Sequence, residues 1–210
     1  MSALQTADSP EIVSRSAREA QVRQLCEAGD LRAAVAAALE LYGGELNGFL
    51  AATSFERDSV AELNAEMCEA LCADLARFEW RSSLRTWMYS LARNARLRYQ
   101  ERQRRNEARQ VPLSRVPDPA ASPATSVAAY QRTTMKERLA VARAQLEVEE
   151  RELLVLRVDR GLSWSEIATV LAGADQQDVP RASAALRKRF ERTLDKLRRI
   201  FDQMAAAQRS

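Results

Sequence analysis

The chain has 210 residues, 46% hydrophobic and 29% charged, enough to bury one or two small cores. Its 32 Lys and Arg against 29 Asp and Glu leave a net charge of +3, and it contains no histidine, which excludes zinc hydrolases, Ser-His-Asp triads and Cys-His pairs. Three cysteines, Cys26, Cys68 and Cys72, make no disulfide framework and point to a reducing compartment, with the cytoplasm as the expected location.

Apolar residues recur at intervals of three and four and never alternate for long, which predicts an all-helical chain. Ser9-Pro10 opens a first helix through Ile12, Val13, Ala17, Ala20 and Leu25 that Gly29 stops, and Asp30 caps a second through Val35, Ala38 and Tyr42 to Leu50. Gly43, Gly44 and Gly48 weaken that helix by about 1 kcal/mol each relative to alanine, so a bend is expected there. Ser59 and Glu62 fit a capping box ahead of the stripe Val60, Leu63, Met67, Leu71, Leu75 and Phe78, with Glu62, Glu66 and Glu69 on another face. After Arg81-Ser82-Ser83, a long helix carries Leu84, Trp87, Met88, Leu91 and Ala95 on one side and gathers arginines toward its far end.

Between Val111 and Ser126, four prolines among small residues mark a linker that could reach about 50 Å, so the segments on either side need not touch. Beyond it come helices over about 126–146 and 149–160. Ser163 and Glu166 form a second capping box, opening a short helix with Trp164, Ile167, Ala168 and Leu171 inward that Gly173 stops. Pro180 starts a last helix with Leu186, Phe190, Leu194, Leu197 and Phe201 facing the core. The expected architecture is therefore two small helical domains joined by a Pro-rich linker, the second with a helix-turn-helix. An N-terminal helical extension (1–36) and a first domain (37–110) precede the linker (111–126), and a second domain (127–205) follows it.

Charge separates along the chain: 37–80 holds nine acids against two arginines, 81–110 nine arginines against two acids, and 181–200 eight cations against two acids. One such run alone is as readily a solvated helix face; two basic runs interleaved with apolar residues favour nucleic acid. In a helix-turn-helix the second helix enters the major groove, which makes Arg181, Ser183, Ala184, Arg187 and Lys188 the duplex-reading candidates. The segment from Arg77 to Ser83 sets aromatics, hydroxyls and arginines before the basic helix, the combination that binds single strands by stacking and phosphate contacts; Phe78, Trp80 and Trp87 could equally be core. Cys68 and Cys72 stand one turn apart without further ligands, so free thiols rather than a metal site are expected, and no cofactor is implied. The acidic face suits either solubility or a basic protein partner.

The strings Arg77-Phe78-Glu79, Ser82 to Asn94, and Leu162-Ser163-Trp164-Ser165-Glu166-Ile167-Ala168 resemble extracytoplasmic-function RNA polymerase sigma factors, over about Ala37 to Arg199. The resemblance implies that 37–110 is region 2, which binds and melts the minus-10 promoter element, and that 127–205 is region 4, which reads the minus-35 element. It implies that Phe78, Trp80, Arg81, Ser82 and Ser83 capture a flipped base, and that Arg85, Arg93, Asn94 and Arg96 on the following helix serve the same element while Trp87 packs. Glu62, Glu66 and Glu69 would dock on the polymerase beta-prime subunit. Partners implied are core polymerase, through its beta-prime and beta subunits, promoter DNA, and an anti-sigma factor as candidate regulator; no membrane partner is expected. The chain departs from the family in carrying Glu62 and Ala65 where an Asp and a Gln are usual, Cys72 for a frequent tryptophan, and a longer turn over 173–179.

The function expected is thus promoter recognition by core polymerase, with no covalent chemistry and no catalytic residues. A polymerase-independent helix-turn-helix regulator is the first alternative and a helical interaction scaffold the second. The extension 1–36 lies outside the resemblance and could serve packing, an interface or regulation.

Overall fold

The computed structural model describes residues 10–54, 59–109, 135–173 and 177–207, and all regular structure among them is helical. The expected linker and the first part of the helix expected from Ser126 lie outside the described residues. No described helix is long and apolar enough to cross a membrane.

Helix α1 (Pro10–Glu27) turns back on α2 (Leu31–Thr53) through Gly29, whose φ of 78° lets its N–H reach the Cys26 carbonyl at 3.0 Å while the Asp30 N–H reaches Leu25. The Asp30 side chain then accepts from the Ala33 N–H at 3.1 Å, the predicted cap. Helix α2 runs unbroken through its three glycines. At Gly48 a Cβ would meet the guanidinium of Arg160, far along the chain, and that side-chain end would have to shift.

Helix α3 (Ser59–Asp74) passes through a 3-10 turn (Leu75–Arg77) and a loop over 78–83 into α4 (Leu84–Arg109). Helices α5 (Met135–Ala144) and α6 (Val148–Leu154) follow, the latter continued by a π-helical turn over Val155–Asp159. Helix α7 (Trp164–Ala172) begins at the predicted capping box, with Ser163 Oγ accepting from the Glu166 N–H and the Glu166 carboxylate accepting from the Ser163 N–H at 2.7 Å. Gly173, at φ 58°, ends it, and α8 (Val179–Ala207) closes the chain.

The first unit, α1 to α4, packs Tyr42, Leu46, Phe49 and Leu50 of α2 against Leu63, Met67 and Leu71 of α3 and Leu84, Met88 and Ala92 of α4. The second, α5 to α8, has a small core of its own around Leu154, Leu197 and Ile200. The larger core does not stop at the unit boundary: Leu153, Leu156, Leu162, Ile167 and Ala168 join it, α6 lying on α2 and α7 on α4. The two units, which the sequence leaves free to stand apart, are thus docked among the described residues. Each fully buried leucine or isoleucine across that boundary is worth about 1.5–3 kcal/mol of apolar transfer.

Candidate nucleic-acid interface

The loop over 78–83 leaves the 3-10 turn with the Phe78 N–H bonded to the Leu75 carbonyl at 3.2 Å. Half-buried Phe78 stacks on Trp87, centroids 4.5 Å apart at 15°, and meets Trp80 at 4.8 Å. Trp80 has φ 57°, the one non-glycine residue among those described with positive φ, a conformation that costs roughly 1–3 kcal/mol and persists only when its surroundings hold it. Ser83 serves α4 locally: its Oγ accepts from the Thr86 N–H at 3.1 Å, a helix cap. Arg81 is exposed and pairs with Glu79 at 2.5 Å.

On α4 the candidate residues divide. Asn94 is exposed. Arg85 is mostly enclosed: its Nε donates to Glu45 at 2.9 Å and its Nη2 to the Arg160 carbonyl at 2.8 Å. Burial works against its charge, but Glu45 outweighs that and holds the guanidinium above its ordinary value. Glu45 also accepts from the Tyr89 hydroxyl at 3.2 Å, and Thr86 Oγ1 donates to Glu166 of α7 at 3.3 Å.

Arg96 is 2% exposed and Glu152 of α6 is 0% exposed, and they form an ion pair at 2.6 Å across the unit boundary. Arg93 approaches the other oxygen of Glu152 at 3.5 Å. Two of the four arginines expected to serve the minus-10 element, Arg93 and Arg96, are therefore held by one carboxylate from the second unit. A cleft of about 1010 Å³ opens beside Arg93, with Arg81, Ser82, Arg93 and Asn94 on one wall and the end of α7 and the start of α8 on the other.

In the second unit α7 and α8 pack as the two helices of the expected motif, with Trp164 edge-on to Phe190 at 5.5 Å. Arg181, Ala184, Arg187 and Lys188 are exposed. Ser183, the fifth candidate, is buried and donates to the Trp164 carbonyl at 3.1 Å, so its hydroxyl ties the two helices together and is turned away from the outer face. Arg157 and Arg187 flank the Trp164 ring at 4.8 and 6.0 Å from its centroid.

Of the acidic residues on α3, Glu62 accepts from Arg102 of α4 at 3.0 Å, and Glu66 from the same guanidinium. Glu69 is exposed and enters no ion pair among the described residues. The acidic face is thus partly neutralised by the basic tail of the neighbouring helix. Cys68 and Cys72 are free thiols, burial pushing that of Cys68 up, and no cluster of metal-ligating side chains occurs among the described residues.

Sequence reasoning passed over Glu19, Glu45 and Glu152, the acids that organise these arginines. Glu152 carried a signal: Val148, Val155 and Leu156, at helical spacing around it, are all buried, so it sits on a core stripe. Arg96 does the same one turn after Ala92.

No family model matches this sequence, and no curated protein matches it. Among solved structures, the fold is similar to that of the sigma factor RpoE in complex with the anti-sigma factor NepR from Bartonella quintana. The TM-score is 0.57 with 21% identity, over 78% of this chain and 94% of that one.

Proposed function

We propose that the chain is a transcription initiation factor of the sigma type, which binds core RNA polymerase and directs it to promoters. The observation that carries this reading is the pairing, on one sigma-like fold, of two surfaces whose residue chemistry suits nucleic acid in different ways. One is an aromatic and basic loop at the head of an arginine-rich helix, suited to unpaired bases. The other is a helix-turn-helix whose second helix exposes Arg181, Arg187 and Lys188, suited to duplex.

In this reading Phe78, Trp80, Arg81, Ser82 and Ser83, with Arg93 and Asn94, take the minus-10 strand as it leaves the duplex. Arg181, Ala184, Arg187 and Lys188 read the minus-35 element. Because both arginine sets neutralise phosphates, affinity falls steeply with salt. Glu69, with Glu62 and Glu66 once released by Arg102, meets the basic polymerase surface on beta-prime. Arg93 and Arg96 are held by Glu152 of the second unit, so in this reading strand capture by them requires that unit to move off α4, whereas Arg85 stays paired with Glu45 inside the first unit. An anti-sigma factor is the class of regulator this reading implies.

The test is transcription by purified core polymerase on genomic fragments with and without the protein. Initiation at discrete sites that depends on the protein is the expected result. Absence of polymerase association, with tight binding to duplex alone, would replace the reading by that of a self-sufficient helix-turn-helix regulator.

A further inference from the structure

Helix α1 stands ahead of the segment that resembles sigma factors, yet it is built into the loop assigned above to strand capture. Glu19, half-buried on α1, accepts hydrogen bonds from the Leu84 and Arg85 N–H groups at 3.3 and 3.1 Å and from the Tyr42 hydroxyl at 2.7 Å. Those two N–H groups belong to the first turn of α4 and have no partner within the helix. A carboxylate placed against them satisfies both and faces the positive end of the helix dipole. The cap of α4 is thus completed from a helix some sixty-five residues earlier in the chain.

One turn further along α1, Arg23 lies with its guanidinium carbon 5.6 Å from the Trp80 ring centroid. Trp80 meets Phe78, and Phe78 stacks on Trp87 of α4, so a continuous row of contacts runs from α1 to α4 across the loop. Within that row sits the positive φ of Trp80, a backbone state that needs support from outside itself. Helix α1 is firm enough to give it: Val22 is fully buried against the core, and the Gly29–Asp30 turn fixes α1 on α2.

We propose that α1 is part of the strand-capture site. Glu19 is a positioning residue that fixes the first turn of α4, and Arg23 fixes Trp80, so the loop between them meets unpaired bases in one preset shape. A loop already in its bound shape avoids the ordering cost that a free one would meet on capturing a strand. The proposal rests on the reading of the protein as a promoter-melting factor.

Full-length wild type, Glu19→Gln and Arg23→Gln are each combined with core polymerase on two templates that share one promoter, selected with the wild type. One template is fully paired and the other has its minus-10 segment held open by mismatches. Initiation from the paired template is expected to fall about five-fold for Glu19→Gln, the order of effect of losing a helix cap, and about three-fold for Arg23→Gln, the order of losing an exposed cation–π contact, and from the open template by less than about two-fold for either. Equal lowering on both templates, or none on either, overturns the proposal. A wild type inactive on both would remove the parent reading, and the proposal with it. Arg23 is exposed, so its variant keeps the fold and decides the question alone if Glu19→Gln fails to fold.

Discussion

Arg187 stands on the open face of α8, while Ser183, one turn earlier, spends its hydroxyl on the Trp164 carbonyl. Replacing Arg187 by alanine is expected to weaken binding of a minus-35 duplex by about 1–3 kcal/mol if it reads a base edge, and to reduce the salt slope by about one if it holds a phosphate. Anisotropy titrations at several salt concentrations distinguish the two, and unchanged affinity at every salt would remove Arg187 from the interface. Ser183→Ala should instead lower thermal stability, by about 1 kcal/mol for a lost buried hydrogen bond, and leave the salt slope alone. Residue type and spacing had placed both side chains on the same helix but could not say which face meets a neighbour. Arg85, Arg93 and Arg96 share that limit: nothing in the pattern of α4 names the carboxylates that enclose them.

At the scale of elements, the tie between α6 and α8 depends on Glu150, which accepts from Lys196 Nζ at 2.7 Å. Burial opposes ionisation of Glu150, but the hydrogen bonds from Lys196 and the Glu147 N–H outweigh it and hold its carboxyl below the ordinary value. The unfolded chain then takes up this proton at a higher pH than the folded one does. The contribution of Glu150 to stability is therefore complete above about pH 4.3 and is lost as pH falls through the lowered folded value. Denaturant melts of wild type and Lys196→Ala should differ at pH 7 and converge in acid; a gap independent of pH would contradict the assignment. The helix starts at Asp30 and Ser163 and the stops at Gly29 and Gly173 were legible in the sequence, because caps are local chemistry. The π-helical turn over Val155–Asp159 and the unbroken passage of α2 through its glycines were not. Neither follows from the local residue types: Val155 and Leu156 of that turn are buried, and Gly48 of α2 lies against Arg160.

Across the whole molecule, one core and one buried ion pair hold together two units that composition and linker length would let drift apart. Removing one partner of a buried pair costs about 3–5 kcal/mol, because the other charge is left in a site with no answer to it. Glu152→Gln leaves Arg96 and Arg93 in that position, and the chain can relieve it by letting α6 and α7 move off α2 and α4. Small-angle scattering should show a larger radius of gyration for this variant, and a single-stranded oligonucleotide should bind it more tightly than it binds wild type. Unaltered dimensions and unaltered oligonucleotide affinity would mean that apolar docking alone keeps the units closed.

The Arg96–Glu152 pair is sealed from solvent, and the volume of the system responds when such charges become hydrated. Water crowds around exposed ions more densely than in the bulk liquid, so the parted form with its solvent occupies less space than the closed form. Hydrostatic compression, at constant salt and acidity, should accordingly favour parting of the units before either one melts, and would populate the parted form without altering a single residue.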